Sequence, residues 1–210
     1  MGFPHLDDML FLGYEFLSAF LPFSCFLLAA FRRRRTQTMA ARSWFLVFVF
    51  AVYIIGVYHF TGAGTLYEGL RFLPSFRPAY NLIPFSHHID PAGYLLNAVL
   101  FIPLGLLAPL LWDRANRFLS VLGIGAAFSV FIELTQLLNV RASDVDDLIL
   151  NTAGTVIGFA VCKAVDKVTG SRYQQRNVPL SLLPICILVP YLGRFFLYDD
   201  MGLARLLYGC

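Results

Sequence analysis

Charge is scarce in this sequence. Only 14% of its 210 residues are Asp, Glu, Lys or Arg, against about 25% in an ordinary water-soluble domain. Hydrophobic residues make up 58% and the mean hydropathy is +0.68. A soluble fold of this length cannot hide so much apolar surface, so the expected solvent is lipid. Paired cysteines are also missing. Cys25, Cys162, Cys186 and Cys210 show no CxxC spacing, which excludes a disulfide framework or zinc ribbon and leaves them as small buried apolar residues. No glycine-rich phosphate loop, GxSxG or HExxH pattern occurs, so the familiar routes to nucleotide, serine-hydrolase or zinc-protease chemistry are closed. There is no low-complexity tract and no internal repeat. No cofactor and no resident metal are expected. His87, His88 and Asp90 are the one short cluster of metal-type ligands, too few for a defined site.

Long apolar runs are abundant. Six of them, at 9–31, 43–61, 94–112, 118–138, 148–165 and 180–198, approach or exceed the roughly 20 helical residues that cross a bilayer core. They are about twice the length of a barrel strand, and open strands in lipid would leave backbone groups unpaired. The fold class expected is an all-α polytopic transmembrane bundle of about six helices. The 21 Phe and 10 Tyr are then membrane composition, not a stacking platform for nucleic acid, and no nucleic-acid partner is expected.

Basic residues set the expected orientation. Asp7 and Asp8 precede the first run, where a signal peptide would be positive, and Arg32, Arg33, Arg34 and Arg35 follow it as a stop-transfer signal. Threading the helices from there puts 11 Lys and Arg on one side (the four arginines with Arg42, Arg114, Arg117, Lys163, Lys167, Arg172 and Arg176) and four on the other (Arg71, Arg77, Arg141 and Arg205). The positive-inside rule makes the richer side cytoplasmic. The expectation is a multi-pass protein of the cell membrane with both termini outside. Three regions follow: a two-helix extension over 1–61, a central unit over 62–165 with an outer loop and three spans, and 166–210 with a cytoplasmic linker, a sixth span and a short outer end. The loop at 62–93 is apolar and aromatic and carries Pro74, Pro78, Pro84 and Pro91. It is expected at the outer interface and not as one long helix.

Polar side chains in spanning helices are costly, at about 2.5–3.5 kcal/mol for a central charge, and here they share one depth. Asn97 lies near the outer end of the third span. Glu133 and Gln136 lie three apart in the last turns of the fourth, with Glu133 roughly 7–8 Å below the outer end at 1.5 Å per residue. Asp144, Asp146 and Asp147 precede the fifth span, and Asp147 and Asn151 share a face. Asn97, Glu133, Gln136, Asp144, Asp147 and Asn151 form the candidate polar cluster. Two readings are open: a shared site, or hydrogen bonds that tie helices together, with Asp144 as a helix cap. A desolvated Glu133 needs a cationic partner, for which Arg194 and Arg141 are the candidates. Glu15, alone on the first span, is read as snorkelling outward or packing locally. Gly154 and Gly158 form a GxxxG spacing suited to close helix packing within the bundle, with homodimerisation as the alternative. Gly105 after Pro103 is expected to kink and open its helix.

These residues carry a resemblance. Asn81-Leu82-Ile83-Pro84-Phe85, with Asn81, Pro84 and Phe85 as its fixed points, resembles the NLxPF entry motif of the VanZ-like family, known from glycopeptide (teicoplanin) resistance. The run from Asn97 through Phe101, Ile102, Pro103 and Gly105 to Leu107 resembles its FIPxGxLL helix. Glu133 and Gln136, followed by Asp144, Asp147, Asn151, Thr152 and Gly154, resemble its acid-amide pattern, and Arg141 fits the arginine often found before the acids. The order and spacing of the three blocks over 81–159 make the match specific. The resemblance implies a cell-envelope role and no established catalytic mechanism. It favours a protein that binds membrane lipid or a lipid-tailed ligand at the outer leaflet and lowers susceptibility to teicoplanin-type lipoglycopeptides. An intramembrane enzyme acting on a lipid-linked precursor ranks second, because no nucleophile–base pair is visible. A small transporter ranks third, because the acids do not continue across the membrane.

Overall fold

The computed structural model describes residues 4–33, 39–72, 80–86, 90–139, 143–170 and 178–209. Its long helices are α1 (Pro4–Arg33), α2 (Ala41–Thr61), α4 (Pro91–Leu111), α5 (Phe118–Gln136), α6 (Val145–Thr169) and α7 (Leu182–Leu197), with two short ones, α3 (Leu66–Phe72) and α8 (Asp200–Tyr208). Six helical segments are long and apolar enough to cross a bilayer, and the protein is a multi-pass all-α bundle. Large apolar side chains such as Leu95, Leu96, Leu119 and Val168 point away from it, as lipid-facing residues do.

Successive long helices alternate in direction, so the bundle has two ends. One, the loop end, gathers the end of α2, the start of α4, the end of α5 and the start of α6. The other carries Arg32, Arg114, Arg117 and Lys163. Two two-residue strands, β1 (Tyr80–Asn81) and β2 (Ser143–Asp144), pair in parallel at the loop end, with Asn81 opposite Asp144. This strand contact lies outside the spans, where the sequence predicts only loop.

The tightest packing is between α4 and α6, and glycine makes it so. A Cβ on Gly105 would stand 1.8 Å from the Thr155 carbonyl oxygen; one on Gly154 or Gly158 would stand 2.0 Å from the oxygens of Ala98 and Ile102. The two backbones therefore touch, the geometry that small residues permit in lipid. The expectation that Gly105 opens its helix is corrected: α4 continues as helix through Pro103 and Pro109, and Gly105 seals it against α6. Helix α2 joins the other layers through aromatic contacts. Phe50 meets Trp112 edge-on at 5.1 Å, and Tyr58 meets Phe128 at 5.9 Å. Buried hydroxyls find carbonyls, Tyr58 donating to Ile187 O at 2.7 Å and Tyr53 to Leu100 O at 3.0 Å, as a medium without water requires.

Candidate functional site

The start of α6 organises the loop end. Asp144 is its N-cap and accepts from Asp146 N at 2.9 Å. The Asp144 cap and two acids in the first turn, Asp146 and Asp147, suit the positive end of the helix dipole. Each has a separate task. Asp144 also receives the Asn81 amide, at 3.2 and 3.4 Å to its two oxygens, and its backbone N donates to Glu133 Oε2 at 3.0 Å. Asp146, only 1% exposed, accepts from Phe85 N at 2.8 Å and from the Tyr94 hydroxyl. Asp147 accepts from the Asn97 amide, joining α6 to α4.

The loop 81–86 is thereby pinned. Asn81 Oδ1 accepts from Ile83 N at 3.1 Å and from Ser86 Oγ at 3.0 Å, so one side chain shapes the turn and anchors it to Asp144. Phe85 has φ 55°, the single positive-φ residue other than glycine among the described residues. A bulky residue there carries strain of order 1–3 kcal/mol, which the charge-assisted bond from its N–H to Asp146 helps offset. Leu82, Ile83 and Phe85 remain 72%, 69% and 51% exposed. A rigid polar underside thus presents an apolar upper face, with Pro84 between Ile83 and Phe85.

The other polar residues turn elsewhere. Gln136 lies three residues from Glu133, yet its amide donates to Thr61 O at 2.7 Å, and Asn139 donates to Gly62 O at 2.8 Å. Together they satisfy carbonyls at the end of α2 that the helix itself leaves open. Asn151 donates to Ser129 Oγ at 3.0 Å, pinning α6 to α5. Gln136 Oε1 and Asn151 Oδ1 are buried and accept no hydrogen bond among the described residues, an arrangement that costs about 1–3 kcal/mol per group. The six cluster residues therefore occupy one end of the bundle but divide among four contacts: Asn97 and Asp147 between α4 and α6, Glu133 and Asp144 under the loop, Gln136 toward α2, and Asn151 toward α5.

Arg194 has a different partner from the one the sequence suggested. Its Nε donates to Glu15 Oε1 at 2.8 Å and its Nη1 to the Ala63 carbonyl. His59 Nδ1 lies 2.7 Å from the other Glu15 oxygen. Glu15 is 6% exposed and Arg194 5%, so the snorkelling reading of Glu15 is corrected. The cause is helix register. α1 and α7 run antiparallel, Gly193 lets them approach, with a Cβ there 2.5 Å from Ser18 O, and Tyr14 caps the meeting by donating to Leu197 O. That register sets Arg194 on α1 and away from Glu133. Arg141, His87 and His88 lie outside the described residues. Asp90, grouped with those histidines in the sequence, caps α4 by accepting from Ala92 N at 3.1 Å. Among the described residues no three His, Cys, Asp or Glu side chains are grouped to hold a metal ion.

Sequence reasoning passed over Asp146 and Tyr94 as site residues. Their spacing to one another carries no periodic signal; only the folded loop reveals that Asp146 holds it. Comparison with curated proteins and with solved structures gives no significant match. The profile of the VanZ/LLP1 family matches residues 44–166, more than half of the chain and all of the loop, Asp146 and the α4–α6 glycine contacts. The chain belongs to the VanZ/LLP1 family.

Proposed function

We propose that this protein is a non-enzymatic member of the cell envelope that receives a lipid-tailed ligand at the outer leaflet, and that its hosts are thereby less susceptible to teicoplanin-type lipoglycopeptides. One observation carries the reading: the exposed Leu82, Ile83 and Phe85 stand on a loop whose backbone is fixed from below by Asp144 and Asp146. A preformed apolar surface beside a few fixed polar groups is what an acyl chain with a polar head needs, and fixing it in advance lowers the ordering cost of binding. The sequence count of basic residues, 11 on the expected cytoplasmic side against four on the other, supports the loop facing outward. The ligand is either the drug's acyl chain or a lipid-linked wall precursor.

The test expresses the protein in a susceptible host and measures inhibitory concentrations of teicoplanin and of vancomycin, which lacks the acyl chain. The expected outcome is protection against teicoplanin alone, lost when Leu82 and Ile83 are both changed to Ser. Equal protection against both drugs overturns the lipid-tail mechanism.

A further inference from the structure

Beyond the pinned loop, the same end of the bundle holds a second polar feature. A cleft of about 320 Å³ opens between α3 and α8, lined by Tyr67, Leu70, Arg71, Asp199, Met201 and Arg205. Both helices are short, and each follows a spanning helix with only a brief connection. Helix α3 is fixed by a reciprocal capping box, Thr65 N donating to Glu68 Oε2 at 2.8 Å and Glu68 N to Thr65 Oγ1 at 3.2 Å. Asp199 caps α8, accepting from Gly202 N at 3.0 Å. The apolar Leu70, Met201, Leu206 and Leu207 are exposed around them. Short helices with an exposed apolar side just past the ends of spans sit at the level of lipid headgroups.

The charges in and beside the cleft are balanced and under-used. Arg205 makes no ion pair among the described residues. Arg71 approaches Asp199 and Asp200 at 3.9 and 3.7 Å, beyond hydrogen-bond reach, so its N–H donors are not spent on those carboxylates. The lining carries two guanidiniums and the Asp199 carboxylate; only with Asp200, which stands at the edge 3.7 Å from Arg71, do the charges sum to zero. A simple anion would meet both acids, whereas a headgroup with a phosphate and an amine offers one charge to each pair. Arginine suits the phosphate because its planar fork donates in parallel.

We propose that the α3–α8 cleft binds the headgroup of a zwitterionic phospholipid, the phosphodiester on Arg71 and Arg205 and the primary ammonium on Asp199 and Asp200, with the acyl chains lying along Leu70 and Leu206. This site is independent of the loop 81–86 and of the reading given to it. The test uses the full chain, purified in detergent and delipidated, with dioleoylphosphatidylethanolamine, dioleoylphosphatidylglycerol and soluble phosphoethanolamine titrated in native mass spectrometry. The ethanolamine lipid is expected to bind at least about fivefold more tightly than the glycerol lipid. Arg205→Gln and Arg71→Gln should each weaken it by about five- to tenfold, on the scale of one charge-assisted contact at a partly wet site. Arg205→Lys keeps the charge, loses the fork and should weaken it in the same direction, while Arg114→Gln at the opposite end should leave it unchanged. Affinity unaltered in Arg205→Gln and Arg205→Lys overturns the site. Equal binding of the glycerol lipid overturns the zwitterion assignment, and equal binding of soluble phosphoethanolamine overturns the lipid source.

Discussion

A carboxylate that is 1% exposed at the mouth of a membrane bundle must earn its place through hydrogen bonds, and Asp146 accepts two, from Phe85 N and from the Tyr94 hydroxyl. Hydrogen bonds to charged groups contribute about 1.5–3 kcal/mol each. Tyr94→Phe removes one and leaves one carboxylate oxygen without its donor, so a loss of about that size is expected. Asp146→Ala removes both and frees Phe85 from the contact that holds its positive φ. Asp146→Asn keeps an acceptor for Phe85 N and should fall between wild type and Asp146→Ala. Limited chymotrypsin digestion in detergent reads this at the loop itself, since Leu82 and Phe85 are cleavage sites. Cleavage there should accelerate in the order Asn, then Ala, while helix content stays constant. Equal cleavage rates in wild type and Asp146→Ala would remove Asp146 as the loop's anchor.

At the scale of elements, α4 and α6 form the frame on which the loop is mounted, and a close helix contact was legible in the spacing of Gly154 and Gly158, whereas Gly105 pointed toward an opened helix. A GxxxG spacing announces close approach because a hydrogen in place of Cβ has a backbone consequence wherever the helix turns inward. What the spacing cannot say is which helix approaches. The structure gives α4 to Gly154 and Gly158, which face Ala98 O and Ile102 O, and α6 to Gly105, which faces Thr155 O. Gly154→Ala would set a methyl against a carbonyl oxygen 2.0 Å away, which neither backbone can yield without separating the helices. Overpacking of this kind costs about 1–3 kcal/mol and more when the neighbour is rigid. Gly13→Ala on α1, where a Cβ meets nothing within 4 Å, is the matched control and should be neutral or slightly stabilising through helix propensity. Thermal unfolding in detergent should separate the two. The spans were legible for a similar reason: an apolar run has a length, and length alone meets the bilayer. The pairing of Glu15 with Arg194 was not, because the two lie 179 residues apart and only the antiparallel register of α1 and α7 brings them together. The helix α8, nine residues long, lies where the sequence predicts only a short outer end.

For the whole molecule, the helices that flank the family region matter as much as those inside it. α1 and α7 lie outside residues 44–166 yet join it through a network in which Glu15 takes Arg194 on one oxygen and His59 on the other, while Arg194 reaches Ala63. Breaking a buried pair by removing one partner costs about 3–5 kcal/mol, so the added helices are bolted to the loop end. The bolt and the loop therefore face the same side of the membrane, and the side is set by charge. The sequence assigns 11 basic residues to one side of the spans and four to the other, with Arg194 inside the last span, so the arginine-rich side is expected in the cytoplasm. Single cysteines introduced at Lys167 and at Arg205, in a background lacking Cys25, Cys162, Cys186 and Cys210, test this in intact cells. A membrane-impermeant maleimide should label the cysteine at 205 directly and the one at 167 only after permeabilisation. Labelling of 167 from outside would invert the molecule, place the Leu82–Phe85 surface in the cytoplasm, and end any role for that surface in meeting an extracellular drug, while the cleft between α3 and α8 would still stand at a headgroup layer, the inner one.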